Sequence, residues 1–455
     1  MNLRRLAQAL GVVLVLAGAG ALVWWFMGLP RDWRVGDRDP PNVLLIVVDT
    51  LRADHLGLYG YERPTSPQLD TLGQMSTVFD RAYSHSPWTM PSIASILTGV
   101  EPREHGIMVW ADPLQQQLTT LAEEFQSHGY RTGAAISHYV LRPDYHFDQG
   151  FEVYNTAALD LGRAHETITS PHIYLLGQKL TLPKRPEPFF VMLHFFDPHA
   201  WYQPHPGFDF GSEDMDLYDG EIAYTDQHIG MLLDKMAQRE QLRDTIVVVV
   251  ADHGEAFRDH GHNQHTLTLY EELINIPLII WVPGFEPRRM DQVVAETQLA
   301  PTLLALAGLP MPPQFQASPI PFDAHGFLPG DDTKVYAETY ERVEKQAVVD
   351  GDWKLIHDRK RRRSELYDLS TDPSEETNLR LKQRDRYKDI RNDLREYAAL
   401  PRAEAQTLEI SDETQQALEA LGYLSGDDGA GPVEPDPPEA SVQSDPVFDP
   451  ELEPE

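Results

Sequence analysis

The sequence predicts an α/β protein: a mostly parallel central sheet with helices on both faces, followed by a small C-terminal antiparallel α+β subdomain. Three observations carry that expectation. Short, continuous apolar runs of strand length recur along the chain, the pattern of strands buried on both faces beneath helices. Segments of helical period lie between them, at 116–128, 219–238 and 297–307, and such alternation implies a layered sheet. Beyond Pro310-Met-Pro-Pro313 the composition shifts to alternating strands with a tight turn at Asp350-Gly351, which is hairpin patterning.

The chain has 455 residues, 41% of them apolar, and a formal net charge of −33. That acidity argues against nucleic acid as a partner and favours a solvated body. Ten of the acids fall in the last thirty residues, which hold no Lys or Arg. The chain has no cysteine, which excludes disulfides, thiolate metal sites and a Cys nucleophile.

In chain order, residues 6–29 form an apolar run broken only by Gln8, long enough for one membrane-spanning helix. Arg4 and Arg5 precede it and Trp24, Trp25 and Phe26 close it. This orients the run as an anchor with the following chain exported; a cleaved signal peptide ending near Ala17-Gly18-Ala19 is the alternative. Residues 30–41 read as a Pro-rich linker and 42–330 as the main domain. The first strand, 42–48, ends at Asp49. The later runs 131–137, 189–196 and 245–250 lead into His138, Asp197-Pro198-His199 and Asp252-His253. In open α/β sheets ligands collect beyond the carboxyl ends of the strands, so these endings mark one site. Strands at 334–340, 346–356 and 365–369 and helices at 384–400 and 412–421 make up a subdomain over 331–424. From 425 to 455 Pro, Asp and Glu dominate, the composition of a disordered tail.

Thr89 stands just before Met90-Pro91 and a run of helical spacing. Pro in a first helical turn and Thr before it predict an N-cap, with the helix N-terminus a seat for an anion. Asp49, Asp252 and His253 add two hard oxygen ligands and an imidazole. With Thr89 Oγ they would hold one divalent cation against a hydroxyl nucleophile. Such a cation lowers the hydroxyl pKa and neutralises charge on the transferred group. His199, His138 and His265, with His262 as a further candidate, could protonate the leaving group or hold its oxygens. Imidazole in the set favours manganese or zinc, with calcium the alternative. Singly, each residue has an ordinary explanation as a turn, a cap or a core polar group. Their joint occurrence at successive strand ends is what points to a site.

These segments resemble the sulfatase family, within the alkaline-phosphatase superfamily. Residues 42–49 with Thr50-Leu-Arg-Ala-Asp-His-Leu-Gly-Leu-Tyr-Gly60 look like the family's opening, and Thr89-Met-Pro-Ser-Ile-Ala-Ser-Ile-Leu-Thr-Gly99 resembles its signature. His105-Gly106, Asp197-Pro-His199, Tyr218-Asp-Gly-Glu-Ile-Ala-Tyr224, Asp252-His-Gly-Glu255 and Glu365-Leu-Tyr-Asp-Leu369 follow in the same order. The resemblance implies an alkaline-phosphatase-like fold, a metal on Asp49, Asp252 and His253, a nucleophile at Thr89 and an ester contact from His199. The departures bear on the chemistry. Family sulfatases oxidise the first signature residue to formylglycine; Thr89 cannot become an aldehyde, because its methyl would give a ketone. Ile93 replaces the signature Arg, Thr50 a second metal-binding Asp, and Thr266, beside His265, the later Lys.

The sequence therefore leads to a metal-dependent hydrolase of sulfate or phosphate esters acting through Thr89, on a sulfated or phosphorylated glycan, lipid or aryl ester. Two alternatives stand beside it: a phosphodiesterase or phosphoglycerol/phosphoethanolamine-type transferase, and a non-catalytic binder of anionic glycans or lipids. An unmodified Thr forms an ester that water must cleave. The nucleophile pattern also resembles that of phosphodiesterases and phosphoglycerol or phosphoethanolamine transferases, which resolve phosphoryl-Thr this way, whereas a sulfate ester of Thr has a less obvious means of resolution. The family resemblance thus points to a sulfatase and the nucleophile to phosphoryl chemistry. The expected location is membrane-anchored through the N-terminal helix, with the catalytic domain outside the cytoplasm. The basic run Arg359-Lys-Arg-Arg-Arg363 is expected as a solvated hairpin tip, with a grip on polyanions as the second reading.

Overall fold

The computed structural model describes residues 40–161, 168–183, 185–340, 343–404 and 408. The candidate anchor at 6–29, the expected helix at 412–421 and the acidic tail lie outside them. Among the described residues no helix is long and apolar enough to cross a membrane.

Valine- and leucine-rich runs form the sheet as their patterning requires. In chain order the strands are β1 (Asn42–Val48), β2 (Thr77–Tyr83), β3 (Arg131–Ala135), β4 (Val153–Asn155), β5 (Phe189–Phe195) and β6 (Thr245–Ala251). A two-residue pair follows, β7 (Ala256–Phe257) and β8 (Asn263–Gln264), then β9 (Asn275–Trp281) and β10 (Arg288–Ala295). Eight of these make one sheet in the order β10-β2-β9-β6-β1-β5-β3-β4. β9 alone runs antiparallel to its neighbours. β1 lies between β5 and β6, parallel to both, with Val48 opposite Phe195 and Ala251. Its last six residues are almost wholly inaccessible, which is why the run lacks the alternation of a half-exposed strand.

Two groups of helices cover the sheet. α1 (Pro67–Gly73), α5 (Ser170–Thr181) and α6 (Asp214–Gln238) pack together, as do α2 (Thr89–Thr98), α4 (Leu121–Ser127) and α8 (Leu299–Leu306). The short α3 (Pro102–His105) follows α2 and α7 (Glu271–Ile274) precedes β9. The helix expected from residue 116 starts only at Leu121. Thr120 accepts the Glu123 N–H at 3.1 Å and Glu123 accepts the Thr120 N–H at 2.8 Å, a capping box that fixes the start. α6 begins five residues before the expected 219, with Glu213 as its cap.

After the small pair β11 (Phe322–Asp323) and β12 (Gly326–Phe327), strands β13 (Val335–Thr339), β14 (Lys345–Asp350), β15 (Trp353–Asp358) and β16 (Arg363–Asp368) form an antiparallel sheet. Alternation decides its faces. Val348, Leu355 and Leu366 pack on Ile390, Leu394 and Tyr397 of α9 (Arg384–Ala398). Ala347, Val349, Ile356 and Tyr367 turn the other way, onto Tyr83, Leu269, Leu273 and Val293 of the main body.

Candidate active site

The site lies beyond the carboxyl ends of β1, β5 and β6. Because Val48 pairs with Ala251, Asp49 and Asp252 leave neighbouring strands side by side, both fully buried. Thr50 turns the chain at a φ of 54°, a costly conformation for a β-branched residue. The turn is held by the Thr50 N–H donating to Asp252 Oδ1 at 3.2 Å and by the Tyr218 hydroxyl donating to the Thr50 carbonyl at 2.7 Å. Thr50 thus offers the site its backbone amide, while its hydroxyl donates to the Asp49 carbonyl at 2.8 Å. After His253, Gly254 donates to the Leu273 carbonyl at 2.8 Å. A Cβ there would lie 2.0 Å from the Glu272 carbonyl oxygen, so only glycine permits this approach.

Thr89 is the first residue of α2, not its cap. Trp88 occupies the N-cap with an extended backbone and makes no side-chain cap bond. The expectation of a capping Thr fails because the helix starts one residue earlier, which frees the hydroxyl to face the strand ends. Thr89 Oγ1 is 3.4 Å from His253 Nε2. The helix is locked to the Asp252 turn through Ser92, whose Oγ lies 2.6 Å from both the Asp252 carbonyl and Glu296 Oε2. Burial pushes the Glu296 carboxyl well up. Ile93 is core.

His253 Nε2 stands 3.7 Å from Asp49 Oδ1 and 3.6 Å from Asp252 Oδ2. A residue that sequence reasoning missed completes the cluster: His194, inside β5, places Nε2 3.5 Å from Asp49 Oδ2. Its signal was an imidazole within an otherwise apolar strand. Ligand atoms of Asp49, His194 and Asp252 all lie within 4.8 Å of one another. Both Asp49 oxygens, Asp252 Oδ2 and His194 Nε2 are buried without a hydrogen-bond partner among the described residues. Burial, with Asp252 and Glu255 nearby, pushes the Asp49 carboxyl well up, and burial raises that of Asp252. Two adjacent acids and the unpartnered His194 nitrogen fit a divalent cation, which would satisfy all of them.

Further imidazoles crowd the opening. The His199 ring lies 5.4 Å from that of His138 and 4.8 Å from that of His265, which is 4.7 Å from His253. His138 Nε2 is 3.9 Å from Asp49 Oδ2. Hydrogen-bond partners assign the tautomers. His138 Nδ1 accepts the Val140 N–H at 3.2 Å, so neutral His138 carries its proton on Nε2. His199 and His253 donate Nδ1–H to the Ala200 and Gly254 carbonyls at 2.7 and 2.9 Å, and His265 Nδ1 meets Glu255 Oε1 at 3.1 Å. His199 and His253 therefore keep the Nε2 lone pair. Burial and the neighbouring rings hold His138 and His253 far below the usual imidazole range. Glu255, which also accepts from the Tyr202 hydroxyl at 3.1 Å, is pushed up to about 7 by burial.

Asp197, which follows the β5 run, serves the fold. It accepts from Thr169 N, Thr169 Oγ1 and Ser170 N at 2.6, 2.6 and 2.9 Å, capping α5 because β5 ends two residues before it. His262 sits between β7 and β8, where its carbonyl accepts the Arg258 N–H at 2.9 Å. Beyond β8, His265 reaches the cluster instead.

Fold and site together define an α/β ester hydrolase with its centre at the carboxyl edge of a mostly parallel sheet. The family model described as Sulfatase matches residues 41–309, and that described as N-sulphoglucosamine sulphohydrolase, C-terminal, matches residues 259–403. The chain belongs to the sulfatase family. It is 24% identical over 447 residues to an arylsulfatase of Clostridium perfringens, covering 74% of this chain and 90% of the relative. It is 23% identical over 422 residues to a delta 4,5-hexuronate-2-O-sulfatase of Bacteroides thetaiotaomicron, covering 75% and 85%. Among solved structures, one in complex with its substrate D-glucosamine-2-N,6-O-disulfate superposes with a TM-score of 0.68 at 18% identity, over 79% of this chain and 97% of that one. A phosphonate monoester hydrolase of Agrobacterium radiobacter gives 0.65 at 19% identity, over 82% and 98%.

Proposed function

We propose that the chain hydrolyses sulfate esters of anionic glycans, with Thr89 as an unmodified nucleophile and one divalent cation on Asp49, Asp252, His253 and His194. The observation that carries this reading is the Thr89 hydroxyl facing His253 Nε2 at 3.4 Å, in front of three buried carboxylate oxygens, both of Asp49 and Oδ2 of Asp252, that lack partners among the described residues. The imidazoles in the donor set favour manganese or zinc over calcium. The cation's chemistry there is to ease ionisation of the hydroxyl and offset charge on the transferred group.

The side chains of this protein do the rest. Thr89 releases its hydroxyl proton to solvent as its Oγ attacks sulfur, and the bond to the leaving oxygen breaks. When water later cleaves the ester, the sulfur–Oγ bond breaks and Thr89 Oγ takes a proton back from solvent. His138, which donates Nε2–H while neutral, holds an oxygen of the transferred group. A proton carried by His199 or His265 goes to the leaving oxygen; the neutral imidazole then accepts a proton from the water that cleaves the Thr ester. The glycan assignment rests on the relatives' substrates. Phosphate esters form the second reading, favoured by Thr89 itself, since formylglycine chemistry is closed to it. Export and anchoring belong to the same proposal and rest on the 6–29 apolar run with Arg4 and Arg5 before it.

Parallel assays on p-nitrophenyl sulfate, p-nitrophenyl phosphate and bis-p-nitrophenyl phosphate, with manganese, zinc or calcium, test the reading. Turnover of the sulfate ester is expected, with Thr89→Ala losing on the order of 10⁴-fold or more in kcat and trapped protein carrying a sulfuryl group on Thr89. Turnover of phosphate esters alone moves the assignment to phosphoryl chemistry. Undiminished activity in Thr89→Ala removes the nucleophile.

A further inference from the structure

The basic run 359–363 plays no part in the chemistry above. It forms the turn between β15 and β16. In the antiparallel register Thr339 pairs with Lys345, Lys345 with Asp358 and Asp358 with Arg363, so these four residues form one row across the end of the sheet. The first of them is tied to the site: the Thr339 hydroxyl donates to the Thr266 carbonyl at 2.6 Å. Thr266 follows His265 and donates its own N–H to the Pro87 carbonyl at 3.1 Å, two residues before Thr89. Three strand spacings carry the row about 14 Å from Thr339 to Arg363. The basic turn therefore stands at the site end of the subdomain, beyond the site's edge.

Its charge is opposite to that of the whole. The chain holds 38 basic and 71 acidic residues, yet positions 340–345 and 358–363 hold seven basic residues against three acidic. Arg402 adds a guanidinium 4.0 Å over the Tyr340 ring. Lys360 and Arg361 pair with Glu344 and Asp358 at 3.6 and 3.9 Å with their side chains about half exposed. Such pairs are weak in water and exchange readily for a ligand's anions. The turn is short and held by the Arg359 N–H on the Glu344 carbonyl and the Arg361 N–H on Asp358 Oδ1, both 2.8 Å, so little ordering cost accompanies binding.

We propose that this turn is a distal subsite for an extended polyanionic glycan whose end lies in the active site; the assignment rests on the glycan reading above. The chain's net negative charge opposes a sulfated polymer, and a cationic turn one short span from the site selects long substrates over short ones. The placement at the site's edge favours a polymer over a membrane surface.

The test compares a heparin-derived octasaccharide with a heparin disaccharide, using the full chain carrying Thr89→Ala so that binding is read without turnover. Calorimetry is expected to show the octasaccharide bound at least tenfold more tightly than the disaccharide. The added substitutions Lys360→Ser, Arg361→Ser and Arg362→Asn should abolish that difference and leave disaccharide binding unchanged. In the Thr89 background the three substitutions should leave p-nitrophenyl ester turnover unaffected. An octasaccharide advantage that survives them overturns the proposal, as does a turn that binds phosphatidylglycerol vesicles and not the octasaccharide. If the octasaccharide binds through the turn while no sulfate ester is hydrolysed, the subsite stands and the hydrolase reading falls.

Discussion

The acids buried at the strand ends and those buried beneath the C-terminal sheet meet opposite conditions. Under the sheet, Glu338 receives Arg103 Nε and Nη2 at 3.0 and 2.9 Å. Lys354, wholly inaccessible, places Nζ 2.9 Å from Glu271 Oε1 and 3.1 Å from Glu375 Oε1. Each of these acids has a cation beside it, and the Arg103–Glu338 and Lys354–Glu271 pairs staple the subdomain to the main body. At the strand ends Asp49 and Asp252 face each other and imidazoles whose burial keeps them neutral. A buried charge is tolerated only when compensated. The compensation under the sheet is built into the chain, and at the strand ends it must come from outside. That contrast separates a structural ion pair from a ligand site even though the residue types and burial are alike.

The contrast can be broken by substitution. Lys354→Met strips the buried Glu375 carboxylate, and the part-buried Glu271, of their ammonium partner and is expected to cost about 3–5 kcal/mol, measured by urea unfolding in chelator. Asp252→Asn under the same conditions removes no cation's partner and should leave stability unchanged or raise it. A comparable loss in both would erase the distinction between the two regions.

A smaller effect concerns His85, buried where β13 meets the main body. It lies 2.6 Å from the Tyr336 carbonyl through Nδ1 and 3.1 Å from Thr297 Oγ1 through Nε2, and burial pulls its pKa down to about 4. Between that value and the ordinary imidazole pKa near 6.5 the unfolded chain takes a proton that the folded chain refuses. Stability from this group is therefore present at neutral pH and lost as pH falls. Relative to His85→Gln, the wild type should lose about 2 kcal/mol between pH 7 and pH 5, read from unfolding curves at both pH values. A gap that does not change with pH would show that His85 is not held neutral.

Much of this was legible in the chain. Unbroken runs such as 245–250 revealed strands buried on both faces, and their endings at Asp49, His138, His199 and Asp252 located the site, because a parallel sheet puts all those ends on one edge. His194 stayed hidden because its neighbours, Val191, Met192, Leu193 and Phe195, read as plain core, and a buried imidazole becomes informative only when Asp49 is seen beside it. Asp197 shows the ambiguity of the strand-end signal: a carboxylate after a strand serves a ligand or a helix cap equally well until the start of α5 is placed against it. Thr89 was read as a cap because Pro91 fits a first turn; that the helix opens one residue earlier depends on Trp88, whose ring packs 4.2 Å from Trp110, a contact across sequence that no local pattern encodes.

Counting the metal settles the central claim most directly. Protein purified in buffer containing manganese and zinc, then passed through a desalting column, should carry one divalent ion per chain by inductively coupled plasma mass spectrometry. The doubly substituted Asp49→Asn, Asp252→Asn protein should carry none. Wild-type protein that leaves the column empty of metal while still hydrolysing the ester, or a double variant that retains its ion, would contradict the assignment of those orphaned oxygens to a cation.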